Sequence, residues 1–351
     1  MHNIDMSIYP SLDSPELTAV LRPAHEPLLH VNDALVHSFL LADPLGYLNF
    51  LEQALGDIAD GNMSLILPPK EIFEDGPGKG DFRVMSCITR NADRVIKTVK
   101  VVGTNLAQRN VPDQVTVGKT LLLHPEENYV THVFDANAFS SIRTGACVAL
   151  ALRLLAPEPG SLVCFGAGRV GFYSAVFSIA TGRVKSMHFS DVADLRAESL
   201  SQFLAVRHSD VRFSAGRVDR NAQCDVVILA TTATDPLCHP PGWGANLVIS
   251  VGADTDFQHE LDPAWADMAD LFVDTRDSAR FGDLRKWLDD GLIGKEDMRD
   301  IFDILRNDIN ATRPRIFVST GSALFDNLTA AYLVERLNPS MPSSDTKSSN
   351  L

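Results

Sequence analysis

The chain has 351 residues, enough for two domains with separate cores, and an ordinary globular composition of 45% hydrophobic and 22% charged residues. Its formal net charge of −14 excludes the basic stripe of a nucleic-acid surface. The five cysteines are scattered without a C-x-x-C pair and the ten histidines without an H-x-x-x-H spacing, which points to reduced thiols in a cytoplasmic protein and away from a structural metal.

Met1–Asp5 has neither a basic region nor an apolar core, so no secretory signal is expected. No apolar run reads as approaching the ~18 residues of a membrane span. Leu35, Phe39, Leu40, Leu45, Leu48, Leu51, Leu55 and Ile58 recur at helical spacing, which predicts helix over 33–60, with Pro44 opening a second helix and Gly61-Asn62 ending it. Strands are expected at 63–67, 83–89, 95–102, 115–123 and 129–134, with loops at Pro68-Pro69 and 74–80. This half reads as a mixed or antiparallel sheet with helices. From Arg143 the texture changes to alternating helix and strand. A helix is expected over 144–155, then short apolar strands at 161–165, 225–230, 246–251 and 270–273, typical of a buried parallel sheet. The strand at 316–319 and a helix over 322–336 are expected to return to the first half. The Ser-, Pro- and Asn-rich segment 338–351 is expected to be disordered.

The pattern Gly166-Ala167-Gly168-Arg169-Val170-Gly171 follows the apolar run Ser161–Phe165 and opens a helical stretch to Ala180. Asp191 stands 20 residues beyond Gly171, after a second strand-like run, 185–190. This is the order of a dinucleotide-binding βαβ unit. Gly166 permits the tight turn, Gly168 the approach of a pyrophosphate, and Gly171 close helix–strand packing. The helix N-terminus, with Arg169 and Val170, presents free N–H groups to the phosphates. A carboxylate at position 191 binds a ribose diol and repels a 2′-phosphate, so NAD is expected over NADP. On another reading, Asp191 or Asp194 caps the helix starting near Leu195.

Four patches resemble the ornithine cyclodeaminase/μ-crystallin family: Val99-Lys100-Val101-Val102-Gly103 with Asn105; Ser141-Ile142-Arg143-Thr144-Gly145-Ala146; Ser250-Val251-Gly252-Ala253-Asp254 with Glu260-Leu261; and Gly321-Ser322-Ala323 with Asp326 and Ala330-Ala331. Pro125–Tyr129 and Ser140–Thr144 look most like the siderophore-pathway branch, which oxidises N-(2-amino-2-carboxyethyl)-L-glutamate with NAD to 2,3-diaminopropionate and 2-oxoglutarate. The sequence departs from the family at Gly145, where alanine is usual, a change expected to be minor. It departs again at Lys70, where many members place arginine, offering a point charge in place of a planar fork.

The resemblance implies an α/β fold. A Rossmann-type NAD-binding domain over 144–310 joins a mixed α/β substrate-binding and dimerisation domain, 1–143 plus 311–337, in a homodimer. Apolar strand faces with few covering helices in the first half agree with pairing. Lys100 is then a reactive-site lysine that binds the substrate carboxylate and polarises the imine-forming centre. Arg143 suits the carboxylate because its guanidinium is planar and always charged. At a helix start, where the expected helix over 144–155 puts it, a cation is disfavoured by the dipole, which favours a functional reason for it. Asp254, beyond the carboxyl end of the 246–251 strand, is the expected general base, with Asp256 a neighbouring competitor. Thr231 and Gly321 are expected against the cofactor, and Lys70 and Arg83 against the substrate. With Lys97 and Arg109 they would suit a substrate bearing several carboxylates. The expected reaction is NAD-dependent oxidative deamination or cleavage of an N-substituted amino acid through an imine. Alternatives are cyclodeamination of ornithine, ketimine or imino-acid reduction, and a non-catalytic μ-crystallin-like binding protein. Only a small amino-acid ligand is expected, with no nucleic acid and no membrane.

Overall fold

The computed structural model describes residues 10–337 except 13, 23–25, 75, 77–79, 106, 113, 157, 220, 308, 310 and 311. The segment 338–351, expected to be disordered, lies outside the described residues.

The first half opens with α1 (Pro15–Leu21), β1 (Leu29–Val31), α2 (Asp33–Ala42) and α3 (Pro44–Ala59). The break at Pro44 is where the sequence predicts it. Asp43 caps the second helix by accepting from the Gly46 amide at 2.8 Å, and α2 and α3 meet at 87°. β2 (Ser64–Ile66), β3 (Glu71–Glu74), β4 (Asp81–Arg90), β5 (Val95–Thr104), β6 (Thr116–Leu123) and β7 (Val130–Asp135) follow. They form a seven-stranded sheet in the order β1-β7-β6-β5-β4-β2, with β3 also on β4. Only the β1–β7 pairing is parallel, so the sheet is mixed. Residues 71–74, not expected as a strand, pair with Asp81–Val84 and bring the start of the expected 74–80 loop into the sheet.

The second sheet has eight strands, all parallel, in the order β10-β9-β8-β11-β12-β15-β13-β14. These are β8 (Ser161–Phe165), β9 (Ser186–Ser190), β10 (Arg212–Ala215), β11 (Val226–Leu229), β12 (Leu247–Ser250), β13 (Asp270–Val273), β14 (Met298–Asp300) and β15 (Arg315–Val318). Crossovers and flanks are α4 (Ala136–Leu155), α5 (Arg169–Ala180), α6 (Asp194–Ala205), α7 (Trp265–Met268), α8 (Gly282–Asp289), α9 (Ile301–Arg306) and α10 (Ala323–Leu337). This is the expected Rossmann-type architecture beside a mixed α/β half.

Three expectations are corrected. The strand at 316–319 does not return to the first half; β15 inserts between β12 and β13, because an apolar run of four is equally at home in any buried parallel sheet. The chain crosses only after it, and α10 packs on β4, β5, α3 and α4. The helix expected from Thr144 begins at Ala136, which places Arg143 in its interior, so the helix-start argument for that residue fails. At 20 residues, α4 is also long and apolar enough to cross a membrane on length and composition, contrary to the reading that no run approaches a span. It is instead the central core helix, packed against α2, α3, α5, α10, β6 and β12.

Candidate functional site

The glycine turn is built as its sequence requires. Gly166 has φ +93°, and a Cβ there would lie 2.3 Å from the Ala230 carbonyl oxygen. A Cβ at Gly171 would lie 2.0 Å from the Gly166 carbonyl oxygen, so that glycine lets α5 close onto β8. A Cβ at Gly168 would meet nothing within 4 Å, leaving an open face at the N-terminus of α5. Val170 packs half-buried on the core, and the Arg169 guanidinium donates to the Gln114 side chain ahead of β6. Asp191 ties β9 to this turn: Oδ2 accepts from the Ala167 amide at 2.7 Å and Oδ1 from the Ala193 amide at 2.9 Å. The Arg196 guanidinium stands 3.7 Å from Oδ1. Neither Asp191 nor Asp194 caps α6; the N-cap is Ala193, and Asp194 is the first helical residue.

At the carboxyl ends of β11 and β12 lies a buried carboxylate to which the sequence reading gave no role. Glu260 Oε1 accepts from the Thr231 amide and hydroxyl, both at 2.8 Å, and Oε2 accepts from Ser250 Oγ at 2.6 Å and the Gly252 amide at 3.0 Å. The Thr231 hydroxyl, expected against the cofactor, is thus turned onto Glu260. Burial pushes the Glu260 carboxyl up, opposed by these four donors.

Strand alternation puts Arg83, Met85, Lys100, Val102 and Thr120 on the inner face of the mixed sheet. Lys100 is 1% exposed. Its Nζ donates to Asp326 Oδ1 on α10 at 3.2 Å, and Arg143 Nε donates to the same oxygen at 3.1 Å. Arg143 Nη1 donates to Thr144 Oγ1 at 2.8 Å. Gly321, at φ +83°, faces the outer edge of this guanidinium; a Cβ there would stand 3.0 Å from Nη2. Burial pulls the Lys100 ammonium down to about 8, with Asp326 opposing and Arg143 and Arg83 adding to the fall.

Lys70 is buried with its Nζ 2.8 Å from the Thr320 carbonyl oxygen, 3.3 Å from Thr320 Oγ1 and 3.3 Å from the Gly321 carbonyl oxygen. The ammonium lies 3.8 Å from the Phe281 ring centroid. With every N–H turned onto the β15–α10 turn, Lys70 holds Gly321 in place. Burial pulls it, too, down to about 8. Arg83 bridges two acids, Nε to Asp81 Oδ2 at 2.8 Å and Nη1 to Asp254 Oδ2 at 2.9 Å. The Asp254 side chain is 43% exposed, open to a ligand on the side away from Arg83. Asp256 instead pairs with Arg285 at 2.7 Å on the surface, so the two competing acids face different surroundings.

The structure therefore gathers Lys70, Arg83, Lys100, Arg143, Asp254 and Gly321 between the sheets, and holds Asp191 with the glycine turn. Lys97 is not among them: it faces the opposite side of β5 and donates to Asn128 Oδ1 at 2.6 Å. Arg109 is exposed in the loop before β6. Asp326 and Glu260 stand inside the patches that carry the resemblance, but no spacing in the sequence gives either of them a role. A cavity of about 490 Å³ opens beside Lys70, lined by Pro68, Pro69, Met85, Arg280, Phe302 and Gly321 among others. Among the described residues no group of three His, Cys, Asp or Glu side chains is placed to hold a metal.

Comparison with known proteins gives the same architecture. The chain is 28% identical over 325 residues to the ketimine reductase mu-crystallin of Mus musculus, covering 89% of this chain and 96% of the relative. An archaeal alanine dehydrogenase dimer with bound NAD superposes with a TM-score of 0.77 at 22% identity, covering 90% of this chain and 98% of the other. The Δ1-pyrroline-2-carboxylate reductase of Thermococcus litoralis, in complex with NADH and L-proline, also superposes with a TM-score of 0.77, at 19% identity, covering 89% and 98%. The sequence model of one family matches residues 31–340: the chain belongs to the ornithine cyclodeaminase/mu-crystallin family.

Proposed function

We propose that this protein is an NAD-dependent oxidoreductase acting on a carbon that bears both a carboxylate and a nitrogen. The observation that carries the reading is the gathering of four buried bases, Lys70, Arg83, Lys100 and Arg143, with the half-exposed Asp254 held on Arg83, at the face where the parallel strands end. The residues fit the cofactor: Gly166 and Gly171 shape the turn, Gly168 leaves its face open, and the α5 amides point at it. When bound, NAD supplies a hydride acceptor for the substrate Cα.

The outer guanidinium edge of Arg143, cleared by Gly321, binds the α-carboxylate together with Lys100, fixing Cα. Lys70 holds the Gly321 turn and adds positive potential. Asp254, aligned by Arg83, takes a proton from water as it attacks the imine carbon and returns it to the departing amine. The products are a keto acid and an amine. Asp191 favours NAD over NADP. The surplus of bases suits a substrate with several carboxylates, and N-(2-amino-2-carboxyethyl)-L-glutamate is the leading candidate. The cofactor is assigned to the eight-stranded sheet, now including β15, and the substrate anchors to the mixed sheet and α10. Half-exposed apolar residues on the outer face of the mixed sheet, Val84, Ile88, Val99 and Leu121, support pairing of two copies there.

The 28% identity to a protein named ketimine reductase favours one second reading, the reverse reaction at the same site. A screen of amino acids, N-carboxyalkyl amino acids and cyclic imines, read by the reduced-nicotinamide absorbance, tests both. NADH formation supports the dehydrogenase and NADH consumption the reductase. Ammonia release with no net change supports cyclodeamination, and silence on every substrate removes the enzymatic reading.

A further inference from the structure

One oxygen of Asp326 serves two bases from two different elements. Oδ1 accepts from Lys100 Nζ on β5 at 3.2 Å and from Arg143 Nε on α4 at 3.1 Å, while Oδ2 is buried and finds no hydrogen-bond partner among the described residues. The side chain is 1% exposed, so it does not act as a solvent-facing acid. Its position leaves Arg143 Nη2 turned towards Gly321, with Nη1 held by Thr144 Oγ1, and sets Lys100 beside it. A carboxylate that organises two cations without covering their outer N–H groups is suited to presenting them to a second carboxylate.

We propose that Asp326 is the positioning residue of the anion site, holding Lys100 and Arg143 side by side so that both engage one substrate carboxylate. This rests on the functional reading above and deepens it, since it names what preorganises the clamp. Asp326 has an electrostatic role as well. The charged groups acting on Lys100 are Asp326 on α10, Arg143 on α4 and Arg83 on β4, one acid against two bases. Cys87 on β4 and Tyr47 on α3 feel the Asp326 charge, but burial pushes both far up and keeps them neutral. Without the Asp326 charge, nothing in this list favours the ammonium form of Lys100.

The geometry makes the charge separable from the shape. In Asp326→Asn the amide oxygen keeps both bonds of Oδ1, and the new NH₂ occupies the place of the unpartnered Oδ2, where no fixed donor opposes it. The test is calorimetric titration of the full-length protein, in complex with NADH, with oxamate as an unreactive carboxylate probe across the pH range. Wild-type affinity should fall as pH rises through about 8, as Lys100 loses its proton. In Asp326→Asn the fall should come ~1–3 pH units lower, the usual shift from one adjacent opposite charge, with NADH affinity unchanged. Lys100→Met should show a much smaller fall, that of Lys70 alone, which is also pulled down to about 8. An unshifted profile in Asp326→Asn, or a fall undiminished in Lys100→Met, overturns the assignment of Asp326 while wild-type oxamate binding upholds the carboxylate site. NADH binding with no oxamate binding by the wild type removes the functional reading and this proposal together.

Discussion

Gly145 on α4 lies against Ser174 on α5 with no room for a side chain between them. A Cβ at position 145 would stand 2.7 Å from the Ser174 amide nitrogen and 2.5 Å from the Tyr173 carbonyl carbon. The departure from the family's usual alanine, expected to be minor, is thus what lets the helix carrying Arg143 touch the helix that begins at the glycine turn. Both obstacles are backbone atoms, so neither can swing aside. Gly145→Ala should force the helices apart and destabilise the protein by about 1–3 kcal/mol, the usual cost of overpacking. It should also weaken NADH binding, because α5 moves as a body. Urea unfolding and NADH fluorescence titration check this; unchanged values for both would mean that the contact relaxes freely.

Glu260 and Asp326 are both buried acids, yet their amide variants should behave differently. Each oxygen of Glu260 accepts from a backbone N–H, Thr231 on one side and Gly252 on the other. A backbone donor cannot turn round. Glu260→Gln must therefore set its NH₂ against one fixed N–H, leaving a buried donor unpaired at a cost of about 1–3 kcal/mol. NADH affinity should fall as well, since both loops end strands that face the cofactor. A Glu260→Gln protein as stable and as tight for NADH as wild type would show that the carboxyl is already protonated in the native state.

The lysines give opposite pH trends for stability and for ligand affinity. Lys100 is pulled from the ordinary 10.5 to about 8. Between these values the unfolded chain holds a proton that the folded chain has released, so stability gains with rising pH across that window. Below pH 8 both states are protonated and the full burial penalty remains. The stability difference between wild type and Lys100→Met should therefore shift in favour of wild type from pH 8 to 10, while carboxylate affinity drops over the same range. Denaturant midpoints measured at several pH values decide this; a flat difference would contradict the burial of a charged Lys100.

The parts legible in the sequence are those where local backbone demands leave a mark. Gly166 needs positive φ and Gly171 a close approach, so the dinucleotide turn was readable, and so was Asp191 at the end of its strand. The long strands β4 and β5 alternate clearly over ten residues each. The three-residue strands β1 and β14 carry no period and exist only through tertiary pairing. The misplacement of β15 has the same origin: Ile316-Phe317-Val318 states that it is buried, not which sheet buries it. The resemblance supplied Lys100 and Arg143. Neither it nor spacing marked Asp326 as their common partner, because a single acid on a helix has no motif until the helix is laid against β5.

The central claim is that this chain uses Asp254 for proton transfer at an imine carbon while the cofactor takes up hydride. The direct measurement is the rate of NADH formation by wild type, Asp254→Asn and Asp256→Asn with the best substrate found in the screen. Asp254 sits on Arg83 at 2.9 Å facing the cluster, whereas Asp256 pairs with Arg285 on the surface. Asp254→Asn should bind NADH normally and lose ~10²–10⁴-fold in turnover, the range for a general acid–base group, with Asp256→Asn near wild type. Near-normal turnover in Asp254→Asn, or its loss in Asp256→Asn instead, would contradict the account.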